Sequence, residues 1–116
     1  MSHVHHGVDY IEIYVTDMDA TLAFYGAAFG WTFTPYAPGY VGIQRPGGGE
    51  WGGFSLEETI VRGGCLVVLY SASLEKTRDA VVGAGGALVK DVFEFPGGRR
   101  FHFRDPSGNE LAVWGA

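Results

Sequence analysis

Phe101-His102-Phe103-Arg104-Asp105-Pro106-Ser107-Gly108-Asn109-Glu110-Leu111-Ala112-Val113-Trp114 reads as a hairpin. Two alternating runs flank Asp-Pro-Ser-Gly-Asn, where Pro106 presets φ and Gly108 supplies a positive one. Alternation then assigns faces. Arg100, His102 and Arg104 share one side of the first strand, and Phe101 and Phe103 take the other. In the second strand Leu111 and Val113 oppose Glu110, Ala112 and Trp114. A sheet has one core face, so ionisable groups on the opposite face meet water or line a cavity.

Upstream, Asp17 stands where it caps a helix with the apolar stripe Met18, Leu22, Tyr25 and Phe29, and Gly30 is a natural stop. Ser73 is read as the cap of a second helix, with Leu74, Val81 and Val82 apolar and an end among Gly83–Gly86. Strands Val8–Val15 and Cys65–Tyr70 precede the helices. Strands Trp31–Tyr36, Tyr40–Arg45 and Trp51–Leu56 follow the first helix, and Ala87–Phe93, Arg100–Arg104 and Glu110–Trp114 follow the second. The order is β-α-β-β-β twice, with the two caps about half the chain apart, the mark of an internal repeat. The fold class is α+β, in one domain over residues 1–116, with module one at about 8–56 and module two at about 64–115.

With 116 residues, the chain is long enough to bury a core. Its 47% hydrophobic and 18% charged content excludes a disordered chain. A net charge of −5 argues against nucleic acid or an anionic membrane as partner. No apolar stretch approaches a membrane span and no signal peptide is visible, so a cytoplasmic protein is the expectation. Cys65, the single cysteine, lies in an apolar run and reads as a small buried hydrophobe. His3, His5 and His6 cluster at a terminus expected to fray.

The hairpin phrase from Phe103 through Val113 resembles the ending Phe-x-Asp-Pro-x-Gly-Asn-x-Ile-Glu-Leu of the vicinal oxygen chelate superfamily, which holds glyoxalase I, bleomycin-resistance proteins and extradiol dioxygenases. Val8 through Asp17, then Phe24-Tyr25 and Phe29-Gly30-Trp31, are similar to the opening of that family's first module. Tyr10-Ile11-Glu12-Ile13, Phe29-Gly30-Trp31 and the terminal Trp114 are nearest to the glyoxalase-related proteins of unknown reaction, whose first strand reads His-Phe-Glu-Ile. Here the Glu is kept and the His is lost. The resemblance implies two βαβββ modules in a curved mixed sheet, a half-barrel cup with helices outside, and a homodimer. An open strand edge argues for the dimer as well.

Strand parity places Ile11, Ile13, Leu111 and Val113 under the helices. It places Tyr10, Glu12, Tyr14, Leu66, Tyr70, Arg100, His102, Glu110 and Trp114 on the cup as ligand-binding residues. The resemblance puts the family's metal ligands at Tyr10, Leu66 and Ala112, with a fourth near Ser55. Phenol, alkyl chain and methyl are poor donors, so no metal is expected there. Glu12, His102 and Glu110 remain as catalytic candidates. They are open to three readings: a relocated divalent site for Zn, Ni, Mn or Fe, an acid–base set, or a hydrogen-bonded cluster in a binding pocket.

The rings of Tyr10, Tyr14, Tyr36, Tyr40, Tyr70, Trp31, Trp51 and Trp114 suit half-wet pocket walls. The sequence therefore favours a metal-free, small-molecule-binding protein whose ligand is aromatic or cationic. The alternative is a lyase, isomerase or dioxygenase.

Overall fold

Helix α1 (Met18–Phe29) begins where the Asp17 carboxylate accepts the Ala20 N–H at 3.0 Å, and it ends at Gly30, whose φ of 70° is left-handed. The structure is a computed structural model and describes residues 3–116. Met1 and Ser2, at the terminus expected to fray, lie outside the described residues. The α1 residues that become buried are Met18, Thr21, Phe24 and Tyr25. Leu22 and Phe29, read as part of the buried stripe, are only half-buried. The difference arises because α1 serves two surfaces. Tyr25 stacks on Trp31 and meets Phe54 of its own module, while Phe24 and Phe29 pack against Phe103 of the other.

Helix α2 (Leu74–Gly83) has Ser73 at its N-cap, but the Ser73 side chain makes no capping bond. Ser71 does local work instead. Its hydroxyl accepts the Ser73 N–H at 3.0 Å and pairs with the Thr77 hydroxyl at 2.6 Å. Leu74 and Val81 are buried, whereas Val82 is half exposed.

The strands are β1 (Ile11–Val15), β2 (Phe33–Ala37), β3 (Tyr40–Gln44), β4 (Glu50–Leu56), β5 (Val67–Tyr70), β6 (Ala87–Phe95), β7 (Gly98–Arg104) and β8 (Glu110–Gly115). They form two four-stranded sheets in the orders β1-β4-β3-β2 and β5-β8-β7-β6, each with one parallel pair and the rest antiparallel. The α+β architecture, βαβββ twice, is as read. The sheets do not close into a barrel, and β1 and β5 are each an edge. Val8–Tyr10 fall outside β1 because its ladder with β4 starts at Ile11, opposite Gly52.

Phe101, Phe103, Leu111 and Val113 are fully or almost fully buried, as parity requires. Ile11 and Ile13 differ. They share the core-side parity of Val15, yet Ile11 is 40% exposed and Ile13 half-buried. Both line an open cleft between the modules, which leaves the first half of β1 accessible. Cys65 is exposed, not buried, because it lies ahead of β5 in a connection that borders a second, smaller opening.

The β7–β8 turn locks the modules together. Asp105, 5% exposed, accepts the backbone N–H groups of Ser107 and Asn109. The Tyr25 hydroxyl donates to its other oxygen at 3.0 Å. Asn109 Nδ2 reaches the Tyr14 carbonyl at 2.8 Å, and Thr16 N donates to Ser107 Oγ at 2.9 Å. Gly108 takes φ 90°, the positive value that the turn demanded of a glycine.

Candidate functional site

The helix-free face of the first sheet is a wall of phenols and carboxylates. Tyr10, Glu12 and Tyr14 share its parity, and Glu12 lies opposite Gly53. A Cβ at Gly53 would meet the Tyr10 and Tyr40 hydroxyls at 2.3 and 2.7 Å, so glycine makes the room those hydroxyls occupy. The two hydroxyls bond one another at 2.6 Å. Burial, then the Tyr10 hydroxyl and the Glu12 carboxylate, push the Tyr40 phenol well above its ordinary value. Beside them Tyr36 donates to Glu50 at 2.7 Å, and that bond is the main reason its own phenol is raised. Glu50 was not legible as a site residue, because the bulge between Ile43 and Gln44 sets its face.

The helix-free face of the second sheet is basic and aromatic. Arg100 lies opposite Trp114 on β8 and Phe93 on β6, and His102 lies opposite Ala112 and Lys90. His102 Nδ1 and Glu110 Oε2 are 2.8 Å apart, and the imidazole is largely buried. Its Nε2 is buried with no partner, and so is Arg100 Nε. The Arg100 guanidinium lies over two rings, 5.5 Å from the Phe93 centroid and 5.1 Å from that of Phe95. Lys90 sits 4.0 Å over Phe93. Tyr70 packs edge-on against Trp114 at 5.1 Å. Phe93, Phe95 and Lys90 went unread because two register shifts in β6 break its alternation. Phe93-Glu94-Phe95 ahead of Arg99-Arg100 was the available signal.

The two modules meet at two openings. A cavity of about 200 Å³ is lined by Glu12 and Tyr14 from one module and Cys65, Asn109 and Glu110 from the other. A larger cleft of about 760 Å³ runs between the core-side face of β1 and β4 and the edge of β5, with Ile11, Ile13, Trp31, Trp51, Leu69 and Tyr70 among its walls. Of the residues read as ligand-binding, Glu12, Tyr14 and Glu110 line the smaller cavity and Tyr70 the larger cleft. Tyr10, Leu66, Arg100, His102 and Trp114 line neither, although Trp114 touches Tyr70. The larger cleft opens on the core side of the first sheet, not on the helix-free side that parity favoured. It lies where β1 and β5 each present an outer edge that no strand covers.

The donor set at the family's metal positions does not fit a divalent ion. Tyr10 spends its hydroxyl on Tyr40, Leu66 is an exposed alkyl chain, and Ala112 is a buried methyl. Among the described residues no group of three or more His, Cys, Asp or Glu side chains is arranged to hold a metal ion. His102 and Glu110 are joined to each other, while Glu12 turns to Tyr40.

Comparison with known proteins agrees with this architecture. The model of the Glyoxalase/Bleomycin resistance protein/Dioxygenase superfamily matches residues 7–113. A glyoxalase-related enzyme from Fulvimarina pelagi superposes with a TM-score of 0.80 at 21% identity, over 96% of this chain and 88% of that one. A mutant of the fosfomycin resistance protein FosX from Listeria monocytogenes, complexed with Mn(II) and 1S,2S-dihydroxypropylphosphonic acid, gives 0.78 at 16% identity, over 96% and 91%. TnmS3, an antibiotic binding protein from Streptomyces sp. CB03234, gives 0.69 at 20% identity, over 99% and 96%. No protein of curated function matches. The match over nearly the whole length, with the βαβββ repeat and the Asp105 turn, makes this chain a member of the glyoxalase/bleomycin resistance protein/dioxygenase superfamily.

Proposed function

We propose that this chain binds a small, partly aromatic molecule between its two modules, without a metal ion at the family's usual place. The observation that carries this reading is the 760 Å³ cleft, a volume within the range of small-molecule sites, walled by Trp31, Trp51, Tyr70 and aliphatic side chains with few polar groups. Glu12 and Glu110, which line the adjoining 200 Å³ cavity, suit positive charge on such a ligand. Relatives in fold include an antibiotic binding protein, which is in keeping with this use. A homodimer belongs to the same proposal, since the unpaired edges β1 and β5 expose Ile11, Leu66 and Val68. The protein is proposed to act in the cytoplasm. Among the described residues no helix is long and apolar enough to cross a membrane.

Titration with a panel of aromatic compounds, read by tryptophan fluorescence, tests the proposal. Saturable quenching that weakens in Trp51→Ala supports it. A panel without saturable binding overturns it.

One observation favours a second reading, an enzyme that moves a proton. Glu110 orients His102 through Nδ1 and leaves Nε2 without a partner, which is the arrangement of a base held by a carboxylate. Conversion of a bound compound, lost in His102→Asn with binding intact, would establish that reading.

A further inference from the structure

Most acidic groups of the second module are already engaged, none of them by Arg100. Glu75 takes Arg99, Asp79 and Asp91 take Arg78, Glu110 takes His102, Asp105 holds its own turn and Tyr25, and Glu94 lies opposite Arg99 in register. Among the described residues Arg100 has no carboxylate partner and makes no hydrogen bond. It lies instead over the rings of Phe93 and Phe95. In a chain of net charge −5, a half-buried guanidinium without an acceptor calls for explanation. Ring faces attract the cation but accept none of its in-plane N–H groups, because their negative charge lies above and below the ring. The donors of the fork therefore remain free. Nε–H is closed to water, while the two outer nitrogens, which also lack partners, stay accessible.

The geometry points to Arg100 as a carboxylate-binding subsite, held over Phe93 and Phe95 on the helix-free face of the second sheet. This rests on the reading of the inter-module region as a small-molecule site, and it adds the chemical class of one ligand group. A planar carboxylate lies in the guanidinium plane and takes two of its N–H groups at once. Lys90, over the same Phe93 ring, adds positive charge to the approach. Trp114, opposite Arg100 in register and in contact with Tyr70, links the subsite to the rim of the large cleft. A ligand with its aromatic body toward Tyr70 and Trp114 would place its carboxylate on Arg100.

The probes are benzoate and its neutral analogue benzamide, titrated into the full-length protein in a phosphate-free buffer. Amide shifts give the affinities, and the Arg100 Nε–Hε resonance reports locally. Benzoate is expected to bind about tenfold tighter than benzamide, the weight of a charge-assisted hydrogen bond. It alone should shift the Nε–Hε signal. Arg100→Gln should abolish the difference and leave benzamide unchanged, and Arg100→Lys, which keeps the charge, should retain part of it. Equal affinities in the wild type, or a benzoate preference undiminished in Arg100→Gln, overturn the subsite and leave the aromatic site standing. Binding of neither probe overturns both. The wild-type comparison decides the matter even if the variants do not fold.

Discussion

The Tyr25 hydroxyl donates to the Asp105 carboxylate at 3.0 Å, joining the middle of α1 to the β7–β8 turn across 80 residues of chain. Both groups are buried, and the same carboxylate holds the Ser107 and Asn109 amides. One aspartate therefore shapes the last hairpin and ties it to the first module. Tyr25→Phe keeps the ring packing on Trp31 and Phe54 and removes only this donor. The expected cost is about 2 kcal/mol, as for other hydrogen bonds to charged groups. Chemical denaturation should show a lower midpoint with an unchanged slope.

The same pair sets an alkaline limit. Burial, then the nearby Asp105 charge and the hydrogen bond to it, raise the Tyr25 phenol well above its ordinary value. The unfolded chain releases that proton near pH 10, while the folded chain still holds it. Stability is thus intact below about pH 10 and is lost as pH rises from there through the raised folded value. Tyr25→Phe should flatten this decline. A pH series of melting temperatures that falls as steeply in the variant above pH 10 would assign the effect elsewhere.

Gly52 lets β1 lie against β4. A Cβ there would stand 1.8 Å from the Ile11 carbonyl oxygen, and backbone cannot swing aside as a long side chain can. Gly52→Ala should displace β1 at a cost of about 3 kcal/mol or more, the scale of the most damaging single substitutions. Hydrogen exchange should show lost protection in β1 first, because β4 is its sole ladder partner.

A dimer is expected at micromolar concentration, since the β1 and β5 edges carry apolar side chains and open strand edges are normally covered. Sedimentation should return twice the chain mass. Ile11→Lys with Leu66→Lys, which puts charge beside both edges, should return the monomer. A wild-type monomer would sink this expectation.

The fold was legible because its signals are local. Asp17 and Gly30 mark α1 by capping chemistry, and Asp105 through Asn109 mark the last turn. Parity also worked where strands run regularly, as in β8, where Leu111 and Val113 are buried. It misled at β1, because alternation says which way Ile11 and Ile13 point but not whether anything covers them. The site was legible only in part for a related reason. Tyr10 and Tyr40 meet across a sheet through Gly53, and Phe93 joins Arg100 only after β6 slips register. Register shifts and the separation of two sheets are tertiary outcomes that a single sequence does not display.

The His102–Glu110 pair makes a prediction about one proton. A carboxylate at 2.8 Å from Nδ1 accepts a hydrogen bond and cannot donate one, so a neutral His102 must carry its proton on Nδ1. Nε2 then holds the lone pair, in a buried position without a donor. Nitrogen shifts of the imidazole should report the Nδ1–H tautomer, although free histidine favours the other. Glu110→Gln replaces the acceptor by an amide that also donates, and it should weaken or reverse the preference. His102 is the member of the pair with an unpartnered nitrogen, so any proton transfer by the pair passes through Nε2. A wild-type spectrum showing Nε2–H would remove the pair as a base and leave the imidazole as part of the pocket wall.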